Sequence, residues 1–550
     1  MKEKIISFTN KKYLDYIFYT VFFIISVYVS SYRDFWYDEL AWTIRFVHNK
    51  DIMQTLSELS AGLYNLPLYY VFLSFFYKIS ISPIWLRIPS IIATMGAIWF
   101  TIKFIVQYYG KIYRIPAYLL FLCTPIFFHI ALQVRPYAFM LFFSALSYYF
   151  YYERLQKESY ANIIKFGLII SLLMYSHWYG GLLIACYGFT DLYLWIKKKI
   201  SFKNIVSYII CFFAFLPWFI AIIMNHYYGF FIYWGLQNSY LFILSVFYNL
   251  LTSKVLMSLL LCFIIYSLSK IIRHIPVAVA LKLNPEYHTL FTIFFIWSTV
   301  YLYGRINPNG SIIEIRYFFI LIPMVIIFMV SVLSTINFKT LIKNKIFIGM
   351  SLPVMGLILV LFDNFDVNLK SIEVEFYDYK KYLAMLDREQ QKSGKDILVI
   401  YKHQNFFDYY NYKNKKIDML ALNTYTNKNF GRLLRKEPHE NNSKYVKEYF
   451  NTLNNLKNKN CKSSMEYIAT ATDEKLYYVI KNGKNTDEAF NLSHLCDYDT
   501  MIVWEVLLDN MNFLSYVLKK NYDFENLYLE ENIETNNGFV FYKLTKKQNI

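Results

Sequence analysis

YLDYIFYTVFFIISVYVSSYRDFWYDEL, residues 13–40, is an apolar run that ends in two adjacent carboxylates, Asp38 and Glu39. The run from about Tyr13 to Ser30 is long enough to cross a bilayer. Lys2, Lys4, Lys11 and Lys12 precede it. Lys-rich flanks stay cytoplasmic, so the acidic pair is expected to emerge on the far side, at the membrane surface. There, among Trp36, Tyr37 and Trp42, two carboxylates are poorly solvated and costly to ionise without a partner or a task. The run lacks a small-x-small cleavage site, so it is expected to remain as an anchor.

Composition extends this reading outward. Of 550 residues, 56% are hydrophobic and 21% aromatic, with a mean hydropathy of +0.29. Soluble domains do not read this way, and the apolar residues fall in repeated blocks of spanning length, so the chain is a polytopic membrane protein. The formal charge of +17 does not indicate nucleic-acid binding. The basic residues flank apolar blocks or scatter through a polar C-terminal region, and no reading module accompanies them.

About eleven spanning helices are expected, near 13–32, 84–107, 115–133, 136–152, 162–177, 179–196, 205–224, 246–268, 288–303, 316–336 and 346–362. Alternation then puts Lys111/Arg114, Arg154/Lys157/Lys165, Lys197–Lys199 with Lys203, Lys270/Arg273/Lys282 and Lys339/Lys343/Lys345 on the cytoplasmic side. All these loops are basic, as the positive-inside rule demands. The segment 64–80 is apolar but carries Pro67 and ends near Lys78. As a span it would invert every later loop, so it is read as a helix in the outer interface.

The domain reading is a transmembrane region, 1–362, whose first extracytoplasmic loop is 33–83, followed by an extracytoplasmic α/β domain, 363–550. Strands are expected at Asp396–Tyr401, Leu476–Ile480 and Phe539–Leu544, with helical patterns near 372–389 and 500–520. Cys123, Cys186, Cys211 and Cys262 lie in apolar blocks and read as packing residues. Cys461 and Cys496 lie in the polar region, where a disulfide is open.

The unusual polar residues gather at the external ends of the spans. In order they are Asp38-Glu39, Asn65-Leu66-Pro67-Leu68-Tyr69-Tyr70, Leu86-Arg87-Ile88-Pro89-Ser90, Arg135-Pro136-Tyr137, Tyr175-Ser176-His177 and Arg316-Tyr317 with Pro323. Singly each has a bland reading: Arg87 or Arg135 snorkelling to headgroups, Pro136 starting a helix, His177 hydrogen-bonding at a helix end. Together and in this order they resemble the bacterial branch of the protein-mannosyltransferase-like group. That group comprises membrane glycosyltransferases of the GT-C fold, among them glycosyltransferase family 39 and the lipid A aminoarabinose transferases. The resemblance covers residues 1–362 and extends loosely to the tail. Two departures stand out: the group often has His-Pro-Pro where this chain has Asn65-Leu66-Pro67, and Glu where it has Gln133.

The resemblance implies inverting transfer of a sugar from a polyprenyl-phosphate donor to a hydroxyl of an extracytoplasmic protein, glycolipid or surface glycan. Asp38 matches the group's base and Glu39 its acidic neighbour. Such chemistry also needs cations on the departing phosphate and exclusion of water. Arginine suits the phosphate because its guanidinium fork meets phosphate oxygens bidentately; Arg316 and Arg135 are the first choices, with Arg305 and His177 behind them. Asn65, Tyr69 and Tyr137 are expected to line the substrate. No cofactor is required with certainty. A divalent cation (Mg2+ or Mn2+) stays open, since Asp38 and Glu39 can each supply an oxygen, though no convincing further ligands accompany them. The expected location is the bacterial plasma membrane, with the N-terminus cytoplasmic. The rival reading is a transporter or flippase, which internal repeats and midplane charges would mark; neither is visible in the chain.

Overall fold

The computed structural model describes residues 13–35, 37–61, 66–124, 126–225, 285–306, 315–335, 379–401, 414–422, 476–486, 497–506, 528–536 and 539–546, with positions 256, 259, 260, 263, 264, 267, 488, 491 and 494. The chain divides into two compact units. One comprises Met1–Phe35 and Trp42–Val374, the other Trp36–Ala41 and Glu375–Ile550.

The first unit is helical. Its elements are α1 (Tyr13–Tyr32), α3 (Ile52–Ala61), α4 (Pro67–Ile79), α5 (Pro83–Tyr109), α6 (Arg114–Leu122), α7 (Ile126–Ala131), α8 (Tyr137–Gln156), α9 (Tyr160–Ser176), α10 (Tyr179–Ile196), α11 (Ile205–Asn225), α12 (Pro285–Ile306) and α13 (Ile322–Thr335). The six-residue helix α2 (Tyr37–Trp42) lies between α1 and α3 in the chain. Among the described residues, four stretches are long and apolar enough to cross a membrane: Tyr13–Tyr32, Pro83–Tyr109, Phe202–Met224 and Arg316–Thr335. The protein is therefore a membrane protein. The expected spans 246–268 and 346–362 lie wholly or largely outside the described residues.

Two expected spans differ in form. Residues 115–133 are not one helix but α6, which ends at Leu122, and α7, which begins at Ile126, with Pro125 between them in the sequence. Proline has no amide hydrogen to continue the ladder and disfavours helix at the residue before it. Thr124 Oγ1 donates to the Leu120 carbonyl at 2.7 Å, where α6 stops. Residues 316–336 begin as a 3-10 turn, Ile315–Leu321, and become α-helical only at Ile322, beside Pro323. The segment after Asn65 forms α4, 13 residues that begin at Pro67 and are too short to span.

Small residues set the closest helix approaches. A Cβ on Gly167 of α9 would lie 3.0 Å from the Ser207 carbonyl of α11, and one on Gly180 of α10 would lie 2.6 Å from that of Leu173. Ser207 Oγ also bonds the Ile163 carbonyl at 2.8 Å, across the same α9–α11 seam.

Arg154 was expected in a basic loop, but α8 runs on to Gln156 and buries it. Its Nη2 lies 2.6 Å from Asp191 Oδ2 of α10. Tyr151 donates to Asp191 Oδ1 at 3.1 Å, and Tyr208 of α11 to Oδ2 at 2.8 Å. Beside them Tyr152 pairs with His288 of α12 at 3.0 Å. The charge is thus paid for inside the bundle by a partner and two hydroxyls, and α8, α10 and α11 are tied together. Cys123, Cys186 and Cys211 are buried free thiols, as expected of packing residues.

Among the described residues of the second unit, α14 (Tyr379–Ser393) precedes a seven-stranded mixed sheet. Its strands are β1 (Ile397–Tyr401), β2 (Ile417–Leu422), β3 (Leu476–Lys481), β4 (Lys484–Asn485), β5 (Thr500–Val506), β6 (Tyr528–Asn536) and β7 (Phe539–Lys546), in the order β4-β3-β2-β1-β5-β7-β6. β1 pairs in parallel with β2 and β5, and the remaining pairs are antiparallel. Ile397, Leu398, Val399 and Ile400 of β1 are all buried, as suits a central strand flanked on both sides. The helical pattern expected near 500–520 is corrected at its start. Thr500–Val506 is β5, hydrogen-bonded between β1 and β7. A short continuous apolar run does not distinguish buried strand from buried helix.

Candidate active site

The first unit builds a polar and aromatic cluster where several helices begin or end. α1 ends at Tyr32, and the last carbonyls of a helix need partners from outside it. Arg87, in the second turn of α5, reaches one of them and the two carbonyls just beyond the helix. Its Nη1 donates to the Arg33 carbonyl at 2.5 Å and more weakly to that of Ser30 at 3.5 Å, and its Nη2 donates to that of Asp34 at 2.8 Å. The guanidinium also lies 5.1 Å from the Phe35 ring centroid. Arg87 is wholly buried, so it does not snorkel. It fixes the path of the chain as it leaves α1, four residues before Asp38.

α4 and α5 hold the next part. Tyr69 is fully buried, and its hydroxyl lies 3.0 Å from Ser90 Oγ. Tyr70, also buried, donates to the Trp42 carbonyl at 2.9 Å and meets the Phe46 ring edge-on. Trp42, three residues after Glu39 in sequence, is thereby anchored, and Thr43 follows it.

The turn between α7 and α8 presents Arg135. Pro136 follows at the N-cap of α8, where its missing N–H costs nothing. Arg135 is half-buried. Its Nη2 donates to the Tyr137 hydroxyl at 3.1 Å, its Nη1 reaches Thr43 Oγ1 at 3.5 Å, and its guanidinium lies 5.3 Å from the Tyr137 ring centroid.

His177 caps the C-terminus of α9 in an extended conformation and is buried. Its Nδ1 accepts the Tyr179 amide at 3.2 Å, which leaves the proton of the neutral ring on Nε2. The His177 ring packs 4.8 Å from Tyr317, 6.0 Å from Tyr137 and 5.8 Å from Tyr179. Tyr317 also meets Tyr137 at 6.4 Å and Tyr179 at 5.3 Å. The 3-10 turn thus delivers Tyr317 to this cluster, with half-buried Arg316 next to it in the chain.

In the second unit's segment Trp36–Ala41, Asp38 is half-buried and Glu39 fully buried, both in the first turn of α2. Carboxylates in a first turn complement the helix dipole.

Of the residues singled out from sequence, Arg135, Tyr137 and His177 come together in the first unit. Arg305 is exposed in the last turn of α12. Tyr69 lies buried on Ser90, and Asn65 lies outside the described residues. Thr43 and Tyr179 join the cluster without any sequence signal beyond their nearness to motifs. Among the described residues, no group of three or more His, Cys, Asp or Glu side chains is placed to hold a metal ion.

The chain is similar to ArnT of Cupriavidus metallidurans. The crystal structure of that protein bound to undecaprenyl phosphate matches with a TM-score of 0.48 and 10% sequence identity, over 96% of this chain and 97% of that one. Its apo state matches with a TM-score of 0.47 at the same identity and coverage. No family model and no curated protein matches the chain.

Proposed function

We propose that the chain is an inverting membrane glycosyltransferase that moves a sugar from a polyprenyl-phosphate donor to a hydroxyl on the external membrane face. The observation that carries this reading is the Arg135 cluster. A half-buried guanidinium rests on Tyr137, within a wall formed by Tyr137, His177, Tyr179 and Tyr317. Tyrosine faces suit sugar rings, and a cation in a partly dry setting suits a departing phosphate.

In the proposed step the acceptor oxygen attacks the anomeric carbon as the bond from that carbon to the phosphate oxygen breaks. The hydroxyl proton passes to the Asp38 carboxylate. The electron pair leaves with polyprenyl phosphate, whose developing charge Arg135 and Arg316 meet. Glu39 orients Asp38 or the acceptor. The neutral His177 side chain donates from Nε2, and the buried aromatic wall limits competing water.

Deletion of the gene, followed by mass analysis of envelope lipids, glycans and glycoproteins, tests the reading. Loss of one hexose, pentose or amino sugar from one carrier is expected and names the donor and acceptor. The same loss with the lipid-linked precursor accumulating on the cytoplasmic side, and not on the external side, would mean flipping and not transfer, and an unchanged envelope would contradict both readings.

A further inference from the structure

Lys103 is a charge inside a spanning helix: it lies in α5, which continues to Tyr109, and its side chain is exposed. Trp99 and Gln107, one turn to either side of it, are exposed too, so this face of α5 meets lipid. Ionisable residues within spans ordinarily turn into the bundle or find a partner. Lys103 does neither. Among the described residues it makes no hydrogen bond or ion pair, and its ammonium rests on rings, 4.5 Å from the Tyr149 centroid and 5.8 Å from that of Phe100.

Lys165 of α9 repeats the arrangement. It is exposed, it too makes no hydrogen bond or ion pair among the described residues, and its ammonium lies 5.1 Å from the Phe150 centroid. Tyr149 and Phe150 are neighbours on α8, 5.2 Å apart, and Phe100 meets them at 5.7 Å and 6.2 Å. The three rings make one shelf that carries an ammonium from α5 and another from α9.

The shelf has a defined depth. Gln107 donates to Glu153 at 2.8 Å and Gln156 to Tyr108 at 2.7 Å, so the C-terminal ends of α5 and α8 lie side by side, and α9 starts just beyond, at Tyr160. Both lysines therefore sit about 9 Å or less inside the helix ends, at 1.5 Å per residue. Acyl chains give way to headgroups at that level, and a lysine stem lies along apolar surface while its ammonium reaches for phosphate. Glu153 is engaged by Gln107 and forms no ion pair with either lysine. Two ammoniums over rings, with no protein anion between them, fit a lipid of net negative charge; a zwitterionic headgroup brings a cation of its own.

We propose that Lys103 and Lys165, on the shelf of Phe100, Tyr149 and Phe150, bind the headgroup of an anionic glycerophospholipid. The site shares no residue with the Arg135 cluster and is independent of the sugar-transfer reading.

The test is native mass spectrometry of the full-length protein released from micelles that hold phosphatidylglycerol and phosphatidylethanolamine in equal amounts. The parent should retain phosphatidylglycerol preferentially, and Lys103→Gln with Lys165→Gln should weaken its retention about tenfold or more. Lys103→Arg with Lys165→Arg keeps both charges and should bind like the parent. Lys111→Gln with Lys157→Gln removes two exposed cations at the same helix ends but off the shelf, and should change retention less than about twofold. Equal retention of the two lipids by the parent, equal losses in the two glutamine double variants, or displacement of phosphatidylglycerol by stoichiometric polyprenyl phosphate would overturn the proposal.

Discussion

Arg87 Nη2 lies 2.8 Å from the main-chain carbonyl of Asp34, so a buried guanidinium on α5 holds the chain four residues before Asp38. With the bond to the Arg33 carbonyl, Arg87 fixes the backbone of Arg33 and Asp34, and under the proposed function it acts as a positioning residue. Lysine offers one compact charge without the fork. Arg87→Lys should therefore retain the fold and reduce turnover at least tenfold, with donor KM little changed. Arg87→Ala, which orphans buried carbonyls, should also lose about 3 kcal/mol of stability. Steady-state kinetics and thermal unfolding in detergent check the two effects separately.

Asp191 neutralises the buried Arg154 and accepts from Tyr151 and Tyr208. Removing one partner of a buried pair strands the other charge. Asp191→Ala should cost about 3–5 kcal/mol, read as a lower melting temperature in detergent. The double variant Arg154→Met with Asp191→Ala should recover much of that loss. A single variant as stable as the parent would mean that the pair contributes nothing.

Much of the helical frame was legible in the sequence because spanning segments are long and uniformly apolar, and loop charge gave an independent check. Arg154 shows where that logic fails. By charge it belongs to a basic loop, and only the structure reveals Asp191, 37 residues away, as its partner. The break between α6 and α7 was signalled by Pro125 but hidden by the surrounding apolar run. In the second unit, β1, β3 and β7 were readable from β-branched and aromatic content. β6 (YLEENIETN) was not, because a sheet-edge strand carries charge in place of an apolar pattern. The β3–β4 hairpin had a usable signal in Asn482-Gly483, whose positive φ values of 50° and 73° fit a two-residue turn. Arg135, Tyr137 and His177 were legible as a group at span ends. Thr43 was not, since a lone threonine carries no pattern until the fold brings it to Arg135.

Glu389 on α14 gives the sheet unit a pH dependence. Burial pushes its pKa up, but hydrogen bonds and charge from Lys392 and Lys543 outweigh this and hold it below its ordinary value; Lys543 Nζ of β7 is 2.9 Å from Oε2. A carboxylate with a depressed folded pKa adds stability above its unfolded pKa and loses it as pH falls through the folded value. The protection of the β7 amides relative to their intrinsic exchange rates, measured in the full-length protein, should therefore be high at neutral pH and fall as pH drops through the depressed folded pKa of Glu389. Glu389→Gln should exchange faster at neutral pH and depend less on acid.

Arg316 stands next to Tyr317, whose ring touches His177 and Tyr137. If Arg316 meets the donor phosphate, Arg316→Ala should raise the donor KM by about tenfold or more while leaving the acceptor KM within about twofold. Equal effects on both substrates would remove it from the phosphate site.

The most direct test of the account is the turnover of Asp38→Asn with a polyprenyl-phosphate sugar and the acceptor identified by gene deletion. Asparagine keeps the shape of the side chain but does not take the hydroxyl proton. The account predicts a protein that inserts and melts like the parent, binds donor, and transfers sugar at least about a thousandfold more slowly. Near-normal turnover by that variant would contradict the assignment of Asp38 as the base.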